Sequence, residues 1–269
     1  MPAGPQLFGP AARRLVSPER WTDQYPARPQ YALELDVLLS FVDDYGQLTR
    51  FTPRLESKNA QRDEALDELR IAYFLHHSNF PVQKWDPPGL NGKVGEYLIG
   101  TPENQSVFIE VKSPGWEGEL SSEQLKTGRT KEPKYQQGEG GAFGNWEPLH
   151  KCIASPRTYP KFAPTQPNLL IIADDLKISL QDSLAHVDIA LYADHDRYGQ
   201  KGYFTSSQYH NLGALGIFRA LATSDGIAYD FKLFDNPFAL PAVKLPASLL
   251  EFKTCLRRFV RGTRPTRSV

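Results

Sequence analysis

The sequence has little cysteine, no excess of charge of either sign and no long apolar run, and each shortage excludes a class of protein. Cys152 and Cys255 are the only cysteines, and their separation matches no metal-ligand spacing, which favours a reduced, intracellular setting. Basic and acidic residues both number 31, so a surface for a polyanion must come from local segregation of charge. The longest apolar stretch, residues 169–173, is far too short to span a bilayer. We therefore expect a cytoplasmic protein without a membrane partner.

The hydrophobic content of the 269-residue chain is 40%, which is typical of a globular protein. Residues 1–29 are rich in proline and arginine and contain no apolar segment of the kind found in a signal peptide. We predict three parts: an N-terminal arm and helix over residues 1–55, a core over 56–235, and a C-terminal helix with a basic tail over 236–269. The core contains a long glycine-rich loop at 115–145.

The pattern of apolar residues predicts an α/β protein with a helix followed by a three-strand meander. A turn containing Pro53 is expected between the first two helices. Helices are predicted at 31–45, 57–77, 146–155 and 247–260, and strands at 81–85, 93–99, 107–112, 168–173, 201–205, 215–221 and 227–234.

The strand at 107–112 contains two charged residues in an otherwise apolar setting. Side chains alternate between the faces of a strand, so Glu110 and Lys112 share one face. Buried charges persist in proteins when they are paired or when they hold a metal. This pair is therefore the strongest functional signal in the sequence.

Two further acids lie on apolar sides of their elements. In the helix at 57–77, Glu68 lies within the apolar stripe, whereas Asp67 and Arg70 fall on the predicted polar face. In the strand at 93–99, Glu96 shares a face with apolar neighbours. Because adjacent strands lie about 5 Å apart, Glu96 and Glu110 converge if the register is suitable, and the helix brings Glu68 towards them.

Three carboxylates and one lysine in a shared pocket suit the hydrolysis of a phosphodiester. Magnesium takes oxygen ligands, often one or two carboxylates with waters and phosphate oxygens. It polarises the phosphoryl group and lowers the pKa of a bound water. Lys112 would orient the attacking water or stabilise the charge of the transition state.

This arrangement resembles the PD-(D/E)XK, or restriction-endonuclease-like, nuclease superfamily. Glu110-Val111-Lys112 matches its Asp/Glu-x-Lys signature, Glu96 matches the preceding acid by position, and Glu68 matches the acid of the first core helix. The family's first strand acid is usually an aspartate, often after proline. Here it is a glutamate after glycine, and Asp86 is the substitute if the strands are displaced.

The resemblance covers about residues 57–175 and implies an α/β/α sandwich around a mixed central sheet, with N-terminal helical and C-terminal extensions. It implies one or two Mg²⁺ or Mn²⁺ ions and a nucleic-acid partner, DNA rather than RNA, and it leaves a homodimer open. Lys151, with Lys161 behind it, would contact the substrate. The implied metal ligands are Glu68, Glu96, Glu110 and the backbone carbonyl of Val111, and Lys112 completes the catalytic set.

Two other functions stay open at the level of sequence. Proteins of this superfamily include some that bind nucleic acid without cutting it, so the chain could be a non-catalytic interaction module on the same fold. Alternatively, His195 and Asp196, with His76 or His77 upstream, contain the residue types of a phosphohydrolase of small nucleotides.

Overall fold

The computed structural model describes residues 29–57, 60–113, 149, 152–155, 157–173, 184–193, 202–222, 227–252 and 257–259. They form an α/β fold. The helices are α1 (Pro29–Asp44), α2 (Leu48–Glu56), α3 (Ala60–His76), α4 (Leu184–Tyr192) and α5 (Ala247–Leu250). The strands are β1 (Val82–Trp85), β2 (Tyr97–Gly100), β3 (Ser106–Lys112), β4 (Asn168–Ala173), β5 (Ala214–Ala222), β6 (Ile227–Asp235) and β7 (Arg257–Phe259).

The seven strands form one mixed sheet, in which each strand pairs with the next along the chain, from β1 to β7. The pairs β3–β4 and β4–β5 are parallel, and the other pairs are antiparallel. Parallel neighbours need a long connection, and the connection from β4 to β5 contains α4. The predicted meander of β1, β2 and β3 and the predicted strand at 168–173 are confirmed.

Each face of the sheet is covered by its own apolar core. The first core joins α1, α2 and α3 to one face and includes Leu38, Phe51 and Ile109. The second covers the opposite face and includes Phe108 and Phe162 together with residues of α4. The predicted alternation along β3 is confirmed, because Phe108 and Ile109 belong to different cores.

Helix α2 occupies the segment where a turn around Pro53 was expected. Phe51 and Leu55, four residues apart, are fully buried against the rest of the molecule, while Pro53 is exposed. The hydroxyl of Thr52 donates to the carbonyl of Leu48 within the helix at 2.9 Å. The missing N–H of proline therefore weakens this helix without ending it, because its apolar side is held by tertiary packing.

Two other predicted elements differ in the structure. Residues 203–205 form a single 3₁₀ turn, whereas the sequence predicted a strand at 201–205. The helix predicted at 247–260 ends at Leu250, and β7 pairs with β6 instead of continuing it. The glycine-rich stretch at 115–145 and the basic residues after 259 lie outside the described residues. No helix in the described ranges is long and apolar enough to cross a membrane.

Two residues on the side of α3 that was predicted to be polar, Asp67 and Arg70, are buried. Arg70 is fully buried and donates to both carboxylate oxygens of Glu34 on α1, at 2.9 and 2.8 Å. The hydroxyl of Tyr229 on β6 donates to the same carboxylate at 2.6 Å. Asp67 is also buried and accepts from Ser113 at 2.6 Å. These polar groups therefore tie α3 to α1, to β6 and to the end of β3.

Candidate active site

Glu110 lies at the centre of the candidate site and is completely buried in the middle of the sheet. The ammonium of Lys112, two residues further along the same face of β3, lies 2.6 Å from its Oε1. The ammonium of Lys161 lies 2.6 Å from Oε1 and 2.7 Å from Oε2. A buried carboxylate needs such partners, because an unpaired buried charge is very costly. Glu110 is thus held by two cations.

Lys161 reaches Glu110 from a 3₁₀ turn at Tyr159–Lys161, which precedes β4. The turn is anchored by aromatic contacts, since the ring of Tyr159 lies 4.9 Å from that of Tyr209. The next residue, Phe162, is buried edge-on against Phe108, with ring centroids 6.1 Å apart. The turn is therefore packed on the same face of the sheet as Glu110 and brings Lys161 to that carboxylate, while its predicted contact with the substrate stays a prediction.

Glu96 lies beside Glu110, one residue before β2. Tyr97 is paired with Ile109 in the sheet, and the backbone N–H of Glu96 donates to the carbonyl of Ile109 at 3.0 Å. The preceding Gly95 presses on the ring of Phe108: a Cβ at this position would lie only 2.3 Å from its Cζ. Glycine thus allows the chain to approach β3 closely enough to bring Glu96 to the site.

The environment of Glu96 disfavours its charged form. Burial is the largest cause, and the neighbouring carboxylates of Glu68 and Glu110 add to it, so the pKa of Glu96 is raised to about 8. Lys161 and Lys112 act in the opposite direction but do not cancel the effect. The sequence prediction that Glu68, Glu96 and Glu110 share one region is consistent with this coupling.

Glu68 enters the region from α3 and is 6% exposed. Both its oxygens are bound by Arg54 of α2, at 2.7 and 2.5 Å. Arg50, one turn earlier on α2, lies 3.5 Å from Glu68 Oε2 and 3.1 Å from Glu96 Oε2 through the same nitrogen, Nη2. Its other terminal nitrogen, Nη1, lies 2.6 Å from Asp86, the predicted substitute acid.

These two arginines are the residues that the sequence prediction missed. The signal was present: Arg50 and Arg54 are four residues apart and so lie on one side of a helix, next to the apolar pair of Phe51 and Leu55. It was overlooked because Pro53 was interpreted as marking a turn.

The remaining predicted site residues are Val111 and Lys151. The side chain of Val111 packs in the core on the opposite face, so the predicted metal contact would have to come from its backbone carbonyl. Lys151 lies outside the described residues. Among those that are described, no group of three or more histidine, cysteine, aspartate or glutamate side chains forms an arrangement that could hold a metal ion. Arg54 binds both oxygens of Glu68, so that carboxylate is already paired, and a metal site built from all three carboxylates stays a prediction.

A smaller donor set does fit magnesium or manganese. Mg²⁺ is often bound by only one or two carboxylates, with waters and substrate oxygens completing its shell. Burial and the charges of Glu68 and Glu110 raise the pKa of Glu96, and a bound divalent cation would offset the repulsion among these carboxylates. Glu96 and Glu110 would hold the ion, which would replace some of the lysine contacts of Glu110, and the carbonyl of Val111 is the donor that the resemblance adds.

The residues of the competing phosphohydrolase hypothesis do not form a site in the described part of the chain. His195 and Asp196 lie outside it. His76 is bonded to the hydroxyl of Tyr45 at 2.9 Å, and burial lowers its pKa. Cys152 lies near Lys112, but burial raises the pKa of its thiol to about 12, which leaves it protonated and weakly nucleophilic.

Comparison with known proteins gives no relative: no family model, no curated protein and no solved structure matches the chain. The resemblance to the restriction-endonuclease-like superfamily therefore depends on Glu68, Glu96, Glu110 and Lys112 and on their order along the chain.

Proposed function

We propose that the chain is a divalent-metal-dependent nuclease that hydrolyses phosphodiester bonds, with DNA as the preferred nucleic acid. The observation that carries the proposal is the buried Glu110, which bears two lysine ammonium groups and adjoins a second carboxylate, that of Glu96. Ionisable groups whose pKa values are shifted by burial and by charged neighbours cluster at functional sites. The order of a helix, a meander and a parallel strand around them agrees with the resemblance to the restriction-endonuclease-like fold.

In this proposal Glu96 and Glu110 hold Mg²⁺ or Mn²⁺, with the carbonyl of Val111 as a third donor. A bound ion of this kind neutralises charge on the phosphate and lowers the pKa of a coordinated water. Glu68 contributes through its charge and through water, since Arg54 binds both of its oxygens. The bidentate contact with Lys161 fixes the orientation of Glu110.

Lys112 acts as a cation. Burial by itself would lower the pKa of its ammonium, but the charge of Glu110 and the hydrogen bond to it outweigh burial, and the net effect raises the pKa. A lysine that keeps its proton is a poor general base. It is suited to donate hydrogen bonds to the attacking water or to a phosphate oxygen and to stabilise the extra negative charge of the transition state.

The test is cleavage of plasmid and single-stranded DNA with Mg²⁺ or Mn²⁺. We expect Lys112→Ala to reduce the rate at least about 100-fold, as loss of a positioned donor does. Glu110→Ala should abolish cleavage, and Glu110→Gln is measured with it because glutamine still accepts hydrogen bonds from the two lysines.

The matched control is Arg219→Gln, which removes a charge on β5, where Arg219 pairs with Asp230 of β6 at 3.5 Å. It should cleave like the parent chain. If cleavage persists unchanged in both the Lys112 and the Glu110 variants, the proposal is wrong.

A non-catalytic nucleic-acid or protein interaction module is the second candidate. One observation favours it: Glu68, Glu96 and Glu110 each have an arginine or lysine partner, so these acids are paired without a metal. Such a module would bind nucleic acid without hydrolysing it, and Mn²⁺ would not raise its melting temperature. A Mn²⁺-dependent rise that disappears in Glu96→Ala would count against this candidate.

A further inference from the structure

Arg50 occupies a position that no sequence motif assigns to it, between three carboxylates. Its Nη2 lies 3.1 Å from Glu96 and 3.5 Å from Glu68, and its Nη1 lies 2.6 Å from Asp86. Glu96 is one of the two carboxylates left for a metal ion, and the oxygen that Arg50 contacts is its Oε2. A positive charge of the chain itself is thus already bound to a proposed metal ligand.

The contact is built into the fold. Helix α2 places the guanidinium of Arg50 5.2 Å from the ring centre of Phe51 and 5.5 Å from that of Trp85. Phe51 is fully buried, and the side chain of Arg50 is only 16% exposed. Planar stacking and fixed donors hold an arginine in one place far better than a surface ion pair does. Arg50 is therefore an ordered part of the site.

Asp86 gives Arg50 an ion-pair partner that is independent of Glu96. It lies at the edge of the site with a side chain 56% exposed, and it contacts a different nitrogen of the guanidinium from the one that contacts Glu96. An arginine displaced from Glu96 would therefore still have Asp86 as a partner. Arg54 keeps Glu68 paired in either case.

We infer that Arg50 is an internal competitor of the metal ion: it occupies Glu96 when the site is empty and must withdraw towards Asp86 when a divalent cation binds. This inference rests on the proposed function and describes the regulation of the same site. Two cations that share one carboxylate oxygen weaken each other's binding, and the coupling is reciprocal. Metal affinity is consequently set by α2 as well as by the ligands themselves.

The experiment measures Mn²⁺ binding to the full chain by titration calorimetry, with Mn²⁺ alone as the probe. Arg50→Gln removes the competing charge, and we expect it to bind Mn²⁺ about tenfold more tightly than the parent chain. Arg50→Lys keeps the charge but loses the fork that spans several carboxylates, so its affinity should lie between those of the parent and the glutamine variant. Arg219→Gln is the control for removal of a remote charge and should bind as the parent does.

Mn²⁺ affinities are compared only among variants that melt cooperatively and are therefore folded. If Arg50→Gln does not fold, Arg50→Lys is compared with the parent chain instead. Affinity equal to or weaker than the parent's in both Arg50 variants overturns the inference. The proposed function fails in a different way: the parent and Glu110→Ala would then bind Mn²⁺ equally, whatever residue stands at position 50. Tighter binding by Arg50→Gln that Glu110→Ala abolishes supports both.

Discussion

At the scale of single residues, two neighbouring carboxylates differ sharply in their partners. Glu110 is bound by the ammonium groups of Lys112 and Lys161, whereas Glu96 is bound by one nitrogen of Arg50 and faces other acids. When the environments of two acids shift their pKa values apart, the two acids can take different roles in a reaction. Here burial and the neighbouring carboxylates raise the pKa of Glu96 to about 8.

This difference predicts how stability depends on pH. With its pKa raised to about 8 in the folded chain and near 4.5 in the unfolded chain, Glu96 binds its proton more tightly when folded. Folding therefore becomes less favourable as the pH rises from about 4.5 to 8, and the loss is complete above 8. Glutamine cannot ionise, so the melting temperature of Glu96→Gln, measured relative to that of the parent, should rise by about 10 °C over this range.

The measurement is a series of thermal melts from pH 5 to pH 9 in the presence of EDTA. Asp188→Asn, which removes an exposed acid on α4, is the control and should show a constant difference. A constant difference for Glu96→Gln as well would contradict the prediction.

Gly95 gives a second prediction at this scale. Gly95→Ala places a methyl group 2.3 Å from the Cζ of Phe108, within a packed core, and overpacking of this kind costs about 1–3 kcal/mol. The strain should also move the adjacent Glu96 away from Glu110 and weaken Mn²⁺ binding.

Phe108→Leu removes the ring that the methyl group meets. The double variant Gly95→Ala/Phe108→Leu should therefore be more stable than the sum of the two single effects, as measured by urea denaturation. Strict additivity would show that the close approach is not the cause.

At the scale of elements, β3 and α2 show what the sequence can and cannot predict. Strand β3 was predictable because its apolar residues and its two charges alternate in a short run, so local pattern alone decides which face each residue takes. In α2, Pro53 favours the end of a helix, but the burial of Phe51 and Leu55 keeps the segment helical. That burial depends on contacts with other helices, which the sequence of the segment alone does not show.

The difference between local pattern and distant contacts also explains why the partner of Arg70 was not predicted. A charged residue on α3 was assigned to solvent, and its actual partner, Glu34, lies 36 residues earlier in the chain. Neither propensity nor periodicity carries information about a pair of that separation. The acids of the site could be anticipated because three of them lie on apolar sides of their elements, whereas the arginines that bind them were missed because Pro53 was interpreted as marking a turn.

The docking of α2 on α3 gives a prediction that belongs to these elements. Arg54→Met removes the bidentate partner of Glu68, which is 6% exposed, and should lower the free energy of unfolding by about 2 kcal/mol. The double variant Arg54→Met/Glu68→Leu removes both charges and should recover most of the loss, because replacing a buried pair with apolar groups costs little. Urea denaturation measures both effects; a double variant less stable than the single one would refute this explanation.

At the scale of the whole molecule, the N-terminal helices belong to the same cooperative unit as the sheet. Helices α1 and α2 cover the first core, and α1 provides Glu34, whose carboxylate binds two nitrogens of the buried Arg70. We predict that a chain starting at residue 57 does not fold cooperatively, and that Arg70→Met does not rescue it, because the core also stays uncovered.

The fluorescence of Trp85, which contacts Phe51 of α2 with ring centroids 5.6 Å apart, and thermal melts report the result. The full chain, purified in parallel, is the reference. A cooperative transition of the shortened chain within a few degrees of the reference would show that the N-terminal helices are dispensable.

The order of the strands in the sheet affects how the chain folds during its synthesis. Because every strand pairs with the one synthesised just before it, each can add to a growing edge as the chain leaves the ribosome. The hydrogen bond between Tyr229 and Glu34 is different, since 195 residues separate them. At ordinary rates of translation this separation corresponds to roughly 10–40 s. During that interval Glu34 lacks the hydrogen bond from Tyr229, and the arrival of β6 completes the interior that the first helices began.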